Sequence, residues 1–500
     1  MNTQNLALIL RISLSTLILS TFSHMSHADI EQISEESLTP DFSPIRSLKK
    51  LQSLKNLKAR QETQTPFVQE LNNALKVRTL FVETHDLPIV DIQLTFNAGS
   101  AQDETLGQGL FGTANMAAKL MLEGTDQYTA KQINNTFESL GAKVNVSAHR
   151  DMFIIRLRVL SEPEKLNAAL SLLLHVIQKS NFNHSGLNLV ISNTKLGQKQ
   201  VQENPSRLMN IRFYRALYGQ HPYAEPSVGT HASIRKISPE LLQQFRNQLL
   251  VAQNSNIAIT GDLSASQATK ISNLIAQALP QGRAAQAIAE PIESNDFNIS
   301  FIPHQSSQAY ITMGHLGISR NHPDRVALEV ANRIFGGSSF NSILSKELRV
   351  KRGLTYSASS MLTTTQVAGV FSLSYSTQQD KLMESIQVAH QSLTNFITQP
   401  ITQQQLNETK EGMLYAYPMT FSSNANINAQ IAAIAFYGLP TDYLNIYQKK
   451  INSLSLNQLQ SAIKKHLHAD KLTIVIVANT LDQDELKKVL NQNLNPNTIQ

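Results

Sequence analysis

The chain offers histidine and carboxylate side chains for metal chemistry, but no thiol. It contains 14 histidines and no cysteine, which excludes thiolate zinc sites, disulfides and cysteine nucleophiles. His466 and His468 cannot share one helix face at this spacing, and the only acid near them is Asp470. His315 and His322 flank a predicted loop without an evident carboxylate partner. We therefore expect ordinary surface or loop histidines at these positions, not a metal site.

The composition is that of a globular protein with more than one domain. Hydrophobic residues make up 41% and charged residues 16% of the 500 residues, which excludes collagen-like, coiled-coil and disordered chains. The net charge is +6, but the basic residues are scattered and never form more than short pairs such as Lys449-Lys450. Nucleic-acid-binding proteins usually concentrate their basic residues in a patch. We expect no nucleic-acid partner.

Residues 1–28 have the pattern of a secretory signal. They contain one base, Arg11, and no acid, and a mainly apolar stretch runs from Ile12 to Phe22 before a small-x-small motif that ends at Ala28. Cleavage is expected after Ala28. The apolar stretch is shorter than the ~20 residues that span a bilayer. The prediction is an exported, periplasmic protein without a stable membrane span.

Hydrophobic patterning predicts an α+β chain after the signal. Alternation around residues 80–82 and 92–96 predicts strands, whereas helical periodicity predicts helices over 109–122 and 130–140. Further along the chain, helix signals over 338–351 precede a predicted strand over 355–361. Ser338 or Ser339 would cap this later helix, and Gly353 would end it.

An internal repeat divides these elements into two similar halves. Residues 237–262 align without a gap with residues 454–479 at an offset of 217, and residues 92–96 resemble 311–315 at an offset near 219. Two separate matches at nearly the same offset favour duplication over chance. The predicted organisation is a signal (1–28), a lead-in (29–75), a first domain (76–280), a linker (281–299), a second domain (300–485) and a tail (486–500).

Several blocks, in the same order, resemble pitrilysin/insulinase-type metallopeptidases, also called inverzincins. The first half carries DIQLTFNAGS at 91–100, AKLMLEGT at 118–125, SLGAKVNVS at 139–147 and HPYAEPSVGT at 221–230. The second half carries NHPDR at 321–325, FGGSSFNSIL at 335–344 and ELRVKRGLTY at 347–356.

The resemblance covers about residues 75–485 and implies a fold. Each half would be a domain of the mitochondrial-processing-peptidase-like type, with a mixed or antiparallel sheet covered by helices. The two homologous domains would follow one another in tandem.

Active members of the resembled family carry H-x-x-E-H on the helix that ends at the Gly-Thr pair. The two histidines bind zinc, the glutamate activates a water molecule, and a distant glutamate is the third ligand. The matching positions here are Asn115, Ala118 and Lys119. The third ligand would fall near Gly197, and no acid occurs in 181–202. Neither H-x-x-E-H nor its reverse occurs anywhere in the chain. The resemblance therefore implies that this chain binds no catalytic zinc.

Arg349 and Tyr356 match a second feature of the family. There an arginine and a tyrosine at this spacing donate hydrogen bonds to the substrate backbone and to the developing oxyanion, for which guanidinium and phenol groups are suited. The alternatives are a solvated helix cation that pairs with Glu347 and a half-buried strand aromatic.

Together these features suggest three functional hypotheses. The leading one follows from the resemblance to the bacterial two-chain branch of the family, in which one chain carries zinc and the other the Arg/Tyr pair. This chain would be the zinc-less subunit of an exported heterodimeric peptidase and would supply Arg349 and Tyr356 to the site of a zinc-bearing partner of the same family that acts on peptides. The alternative is a peptide-binding or scaffolding protein of the cell envelope without proteolysis. The third is an independently active peptidase with a rebuilt site.

Overall fold

The computed structural model describes residues 64–337 and 341–494. The predicted signal, most of the predicted lead-in, and Ser338 and Ser339 lie outside these ranges. The described chain is an α+β fold with two separate sheets and helices packed on them, which confirms the predicted fold class. Within the described residues, no helix combines the length and the apolar character needed to cross a membrane.

Eleven strands and fifteen α-helices are described. The strands are β1 Gln69–Leu71, β2 Thr79–Glu83, β3 Ile89–Phe96, β4 Lys143–Ala148, β5 Phe153–Leu160, β6 Ser255–Gly261, β7 Asn298–Pro303, β8 Gln308–Leu316, β9 Ala358–Thr363, β10 Val370–Gln378 and β11 Thr473–Ala478. The helices are α1 Thr113–Leu120, α2 Ala130–Ser139, α3 Pro163–Lys179, α4 His184–Gln202, α5 Pro205–Tyr218, α6 Pro239–Leu249, α7 Ala265–Ala278, α8 Arg325–Phe335, α9 Ile343–Ser345, α10 Leu382–Thr398, α11 Gln403–Ala416, α12 Asn424–Phe436, α13 Tyr443–Ser453, α14 Leu456–His466 and α15 Gln483–Leu494.

The two sheets share one strand order. The first sheet runs β1-β2-β6-β3-β5-β4 and the second β7-β11-β8-β10-β9. Apart from the additional β1, the orders correspond strand for strand, and each sheet has one parallel pair, β2 with β6 and β7 with β11. The remaining neighbours are antiparallel.

Strand register places the internal repeat at equivalent positions of the two sheets. Ile92 pairs with Ile259 in the first sheet, and Ile311 pairs with Ile476 in the second. These are the residues that the offsets of 219 and 217 relate to one another. The duplicated sequence therefore forms a duplicated pairing. The bounds of the predicted domains stay predictions, although β1 falls within the predicted lead-in and α15 extends into the predicted tail.

One face of each sheet forms a core with helices of its own half. Successive side chains of a strand point to opposite faces, so Ile257 and Ile259 of β6 enter the first core while Ile474 and Ile476 of β11 enter the second. Helices α1, α3, α6 and α7 supply the first core, and α8, α10, α14 and α15 supply the second.

The opposite face of each sheet is covered by a helix from the other half. Met209 and Phe213 of α5 belong to one buried cluster with Val475 and Val477 of β11. In return, Ile431 of α12 is buried in a cluster with residues of the first sheet, Leu80, Val82 and Ala258. The helices α5 and α12 occupy corresponding places in the sequence repeat. The two halves therefore bury each other's sheets by a reciprocal exchange of one helix.

Hydrogen bonds hold both exchanged helices in place. The Arg78 guanidinium donates to the carbonyl oxygen of Ile434, in the last turn of α12, at 3.2 Å and to that of Leu439, just beyond the helix, at 2.6 Å. The Asn428 amide donates to the Asp91 carbonyl oxygen at 3.0 Å. On the other side, Arg212 of α5 donates to Ser300 Oγ of β7 at 2.8 Å.

A buried carboxyl group joins the hairpin loops of the two halves. Asp151 lies in the β4–β5 turn and accepts hydrogen bonds from the Tyr223 hydroxyl and, at 3.0 Å, from the backbone N–H of Gln366 in the second half. Burial raises the pKa of the Asp151 carboxyl, an effect that these bonds oppose. The Gln366 side chain also donates to Asn97 Oδ1 at 3.0 Å.

The ring of His315 in β8 is held in its neutral form. Its Nδ1 donates to the Leu316 carbonyl oxygen at 2.7 Å, and its Nε2 accepts the His468 backbone N–H at 3.2 Å. Protonation would remove this acceptor. The pKa of His315 is lowered to about 4, mainly because the ring is buried. The ring thus belongs to the structure of the second half and is not available to a metal ion.

Acid should destabilise the protein through His315. Below pH 6.5 the His315 ring is protonated in the unfolded state, but in the folded state it is protonated only below about pH 4. The free energy of unfolding therefore falls as the pH falls through this window. The expected loss is about 3 kcal/mol. Urea denaturation at pH 7 and pH 4 measures this loss. Between the two pH values the free energy of unfolding of His315→Gln should fall by about 3 kcal/mol less than that of the wild type. His231→Gln, at an exposed site, should behave as the wild type, and equal losses in all three proteins would contradict the prediction.

Truncating a buried side chain of the exchanged helix α12 should lower the stability of both halves together. Ile431 is fully buried against the first sheet, and we expect Ile431→Ala to cost about 2–5 kcal/mol of unfolding free energy. Hydrogen exchange of peptides from β3 and from β8 should rise together. Leu189→Ala, at a 62% exposed position, should change stability by less than about 0.5 kcal/mol. Faster exchange in the first half alone would show that the halves are not coupled.

Candidate functional site

Helix α1 carries the three positions that match the lost zinc motif, and a buried acid anchors its beginning. Asp103 accepts the backbone N–H of Gly112 at 2.7 Å and that of Ala114 at 2.9 Å. Burial raises the pKa of Asp103 to about 8, against the lowering effect of these bonds. The helix was predicted over 109–122 and spans Thr113–Leu120. It begins later because Gly112 adopts a left-handed φ of 95° that interrupts helical geometry.

The HPYAEPSVGT block packs against the beginning of α1. A Cβ atom on Gly112 would lie 2.9 Å from Gly229 Cα, so both glycines allow a close approach of two backbones. Ser233, just after the block, donates to the Phe111 carbonyl oxygen at 2.6 Å. From α4, the Gln198 amide donates to the Gly229 carbonyl oxygen at 3.0 Å. The block therefore joins α1 to the helix that faces it.

The structure places Asn115 one helical turn before the adjacent Ala118 and Lys119 on α1. Ala118 is buried, and Asn115 is partly buried with its Oδ1 atom enclosed. Lys119 reaches towards α4, where its Nζ lies 3.4 Å from Thr194 Oγ1. Partial burial lowers the pKa of the Lys119 ammonium. This contact identifies the part of α4 that faces the altered motif.

These residues do not fit a zinc ion. The α1 positions provide an amide, a methyl group and an ammonium, and α4 faces them with the hydroxyl of Thr194 instead of a carboxylate. Among the described residues, Asn115 Oδ1 and Gln198 Oε1 are buried without a hydrogen-bond partner. Zinc sites in proteins use imidazole, thiolate or carboxylate ligands, and the ammonium of Lys119 would repel a cation. No catalytic step through zinc is available at this place.

Arg349 lies in a short, irregular helical segment of the second half. The predicted helix over 338–351 is wrong at its beginning: α9 starts at Ile343, and Ser342 caps it by accepting the Ser345 N–H at 3.4 Å. A π-helical turn, Lys346–Val350, follows and contains Arg349. Such turns are frequent at functional sites. The segment ends as predicted at Gly353, which has a left-handed φ of 62° and donates to the Arg349 carbonyl oxygen at 3.0 Å.

Tyr356 precedes the strand in which it was predicted to lie. Strand β9 begins at Ala358, and the Tyr356 side chain is 82% exposed, so the alternative of a half-buried strand aromatic is also wrong. Its neighbours are held firmly. Leu354 is buried and accepts the Thr377 hydroxyl at 2.6 Å, while the Thr355 hydroxyl donates to the Ser357 carbonyl oxygen at 2.9 Å. The loop thus presents an exposed phenol on an anchored backbone.

The two groups of predicted site residues belong to different halves. Asn115, Ala118 and Lys119 lie on α1 over the first sheet. Arg349 and Tyr356 lie on the segment that leads into β9, at the edge of the second sheet.

The structure also assembles a histidine group that the sequence did not predict. His466 Nε2 lies 2.8 Å from Asp324 Oδ2, and His322 lies beside the same carboxylate. The expectation that His322 has no carboxylate partner is therefore wrong. The acid is Asp324, not the nearby Asp470, and it is 142 residues distant from His466 in the sequence. No short-range spacing could have indicated this pair.

Restoring the lost ligands should require both helices. Asn115→His, Ala118→Glu and Lys119→His together would give two imidazoles and a base, but no third ligand. Adding Thr194→Glu, opposite Lys119 on α4, should tighten zinc binding at least about tenfold in calorimetric titrations. The control adds Leu189→Glu at an exposed position of the same helix and should not tighten it. Equal affinity of the two quadruple variants would contradict the assignment of the facing position.

Family models match most of the described fold. The model described as "Insulinase (Peptidase family M16)" matches residues 78–231, and the model described as "Peptidase M16 inactive domain" matches residues 236–413. Together the two matches span more than half of the chain.

Individual proteins give the same result. The chain is 27% identical to "Non-peptidase homolog YmxG" of Helicobacter pylori, over 82% of this chain and 94% of that one. A crystal structure of a peptidase M16 inactive domain from Pseudomonas fluorescens is similar with a TM-score of 0.78 at 33% identity, covering 83% of this chain and 98% of that one. The periplasmic protease PqqL from Escherichia coli shares the fold, with a TM-score of 0.70 at 14% identity, over 84% of this chain and 46% of that one. Family models match both halves, and a 33% identical structure has the same fold. This chain therefore belongs to peptidase family M16, the insulinase family.

Proposed function

We propose that this chain is the non-catalytic, zinc-less subunit of an exported two-chain metallopeptidase. It would shape the peptide chamber and supply Arg349 and Tyr356 to the active site of a zinc-bearing partner of the same family. The observation that carries the proposal is the exposed phenol of Tyr356, held on an anchored loop close in sequence to Arg349. A phenol and a guanidinium are donors suited to a substrate carbonyl oxygen or an oxyanion.

The state of the first half supports a role in trans. Asn115, Ala118 and Lys119 offer neither a zinc ligand set nor a general base, and Thr194 of α4, which faces Lys119, provides a hydroxyl and no carboxylate. Donors that stabilise an oxyanion contribute only where another group generates the nucleophile. A partner chain with an intact H-x-x-E-H helix would provide the metal-bound water.

The surroundings of Tyr356 support a contact with a partner or a peptide. Val350 is 68% exposed, Tyr356 82% and Met361 63%, and all three belong to the stretch from the π-helical turn to β9. Exposed apolar side chains that form a patch commonly mark interaction sites on soluble proteins, and these three side chains are close in sequence.

The proposed location and substrate class rest on the sequence and on similar proteins. Export is proposed from the signal pattern of residues 1–28, and the similar PqqL structure is described as a periplasmic protease. Peptides are the proposed substrates because the family resemblance implies a chamber formed between two such chains. The names "non-peptidase homolog" and "inactive domain" of similar proteins agree with a chain that has no activity of its own.

Arg349→Ala and Tyr356→Phe should each slow the assembled enzyme. In a complex with an H-x-x-E-H chain from the same genome, we expect kcat to fall about 10²–10³-fold, the scale of one oxyanion donor. Arg352→Ala is the matched control, because Arg352 is an arginine of the same segment that pairs with Glu347 at 2.7 Å and is not one of the proposed donors; kcat should stay within about twofold. Size-exclusion chromatography should show that every variant still assembles.

The alternative, a peptide-binding or scaffolding protein, makes a different prediction for the same samples. An unchanged rate for Arg349→Ala in a stable complex would refute the role in trans. A purified chain that binds peptides but activates no zinc-bearing partner would favour scaffolding. Zinc-dependent peptidase activity of the chain alone would contradict both interpretations.

A further inference from the structure

We propose that His322, Asp324 and His466 form a binding site for one divalent transition-metal ion of the zinc, cobalt and nickel class. The site lies in the second half, does not depend on the lost catalytic motif, and is independent of the proposed function. His322 and Asp324 belong to the segment just before α8, and His466 is the last residue of α14. Two imidazoles and a carboxylate thus meet from two elements distant in the sequence.

The distances are close to those of a metal site. One ligand atom from each residue lies within 4.8 Å of the other two. Asp324 Oδ2 is 2.8 Å from His466 Nε2 and 4.0 Å from His322 Nδ1. Ligands bound to zinc at about 2.0–2.1 Å lie about 3.3 Å apart in a tetrahedral site, a value between these two distances. Modest side-chain rotations would bring all three ligands around one ion.

Local contacts already orient the two rings. Their centroids are 4.7 Å apart with an edge-to-face angle of 82°. The backbone N–H of Asp324 donates to His322 Nδ1 at 3.1 Å, a bond that an ion at Nδ1 would replace. The side chains are 26% exposed for His322, 34% for Asp324 and 14% for His466. An ion could therefore enter from solvent and still bind in a partly desolvated place.

The charges nearby favour binding with one opposing contribution. The Asp324 carboxylate lies beside both imidazoles and would attract a cation. The opposing charge is Lys465, whose Nζ lies 3.5 Å from Asp324 Oδ2. Its side chain is 64% exposed, so it can turn into solvent when an ion neutralises the carboxylate.

The donor set determines the class of ion. Two imidazole nitrogens and one carboxylate oxygen suit zinc and its neighbours in the first transition series, whereas magnesium and calcium prefer oxygen ligands. Three protein ligands would leave a position for water. The ion would join the beginning of α8 to the end of α14, two helices of the second core, and so stabilise this half.

A second histidine with acidic neighbours serves as a matched control. His85 Nδ1 lies 2.7 Å from Asp262 Oδ1, and His85 Nε2 lies 3.0 Å from Glu83 Oε1. Because the two carboxylates approach different ring nitrogens, they cannot converge on one ion with a single imidazole. His85 is thus surrounded by more acid than His466 but lacks the geometry of a metal site.

The test titrates Zn²⁺ and Co²⁺ into untagged full-length protein by calorimetry and visible absorption. We expect one ion per chain, a cobalt d–d spectrum, and a rise in Tm of about 2–4 °C at saturating Zn²⁺. His466→Gln keeps a donor for Asp324 but removes the imidazole, so affinity should fall at least about tenfold while the metal-free Tm is unchanged. Lys465→Met should tighten binding about threefold or more. His85→Ala should bind as the wild type.

Three results would overturn the proposal. They are no stoichiometric binding at millimolar Zn²⁺, unchanged affinity in His466→Gln, and loss of binding in His85→Ala. Because each measurement concerns metal binding and thermal stability without a partner chain, its failure would leave the proposed role of Arg349 untouched. Failure of that role would likewise leave the metal site intact.

Discussion

The reciprocal exchange of α5 and α12 is the interaction on which the rest of the structure depends. Each sheet has two apolar faces, because side chains on both faces of β6 and β11 are buried. The helices of one half cover only one of these faces, and burying the other requires a helix from the opposite half. Arg78 and Asn428 then fix α12 through its carbonyl groups and a strand backbone. The duplicated units are therefore interdependent, although each has its own sheet and core.

This exchange also connects the two places where chemistry was expected. Helix α4, which faces the altered zinc motif, leads after two residues into α5, and α5 covers β11 of the second sheet. The second sheet in turn ends at β9, into which the loop of Tyr356 leads. A displacement of α4 would thus be resisted by packing in both halves. The scaffold of a peptidase site persists because its helices are held by Asp103, Gly112 and Gly229, none of which depends on a metal.

Sequence reasoning succeeded where a local pattern carries the information. The period-two alternation identified strands, and the repeat offsets related residues of the two halves. In the structure, the related residues form the equivalent pairs Ile92–Ile259 and Ile311–Ile476. It failed where the deciding contact is distant in sequence or depends on a single backbone angle. No local signal indicates that α12 covers the first sheet, or that Asp324 meets His466. The late start of α1 follows from the left-handed Gly112, and that of α9 from the cap at Ser342.

Loss of the zinc motif is best understood as a change of several coupled positions. Lys119 places a positively charged ammonium where the zinc ion of an active family member would bind, and this ammonium has a partner in Thr194 on the facing helix. Restoring a histidine there would still leave α4 without an acid, so no single substitution moves the chain back towards catalysis. The phenol of Tyr356 contributes little burial to the folding of its own chain, because 82% of its side chain is exposed. The anchored backbone on either side of it keeps this group in solvent, which is what the proposed contact with a partner or a peptide requires.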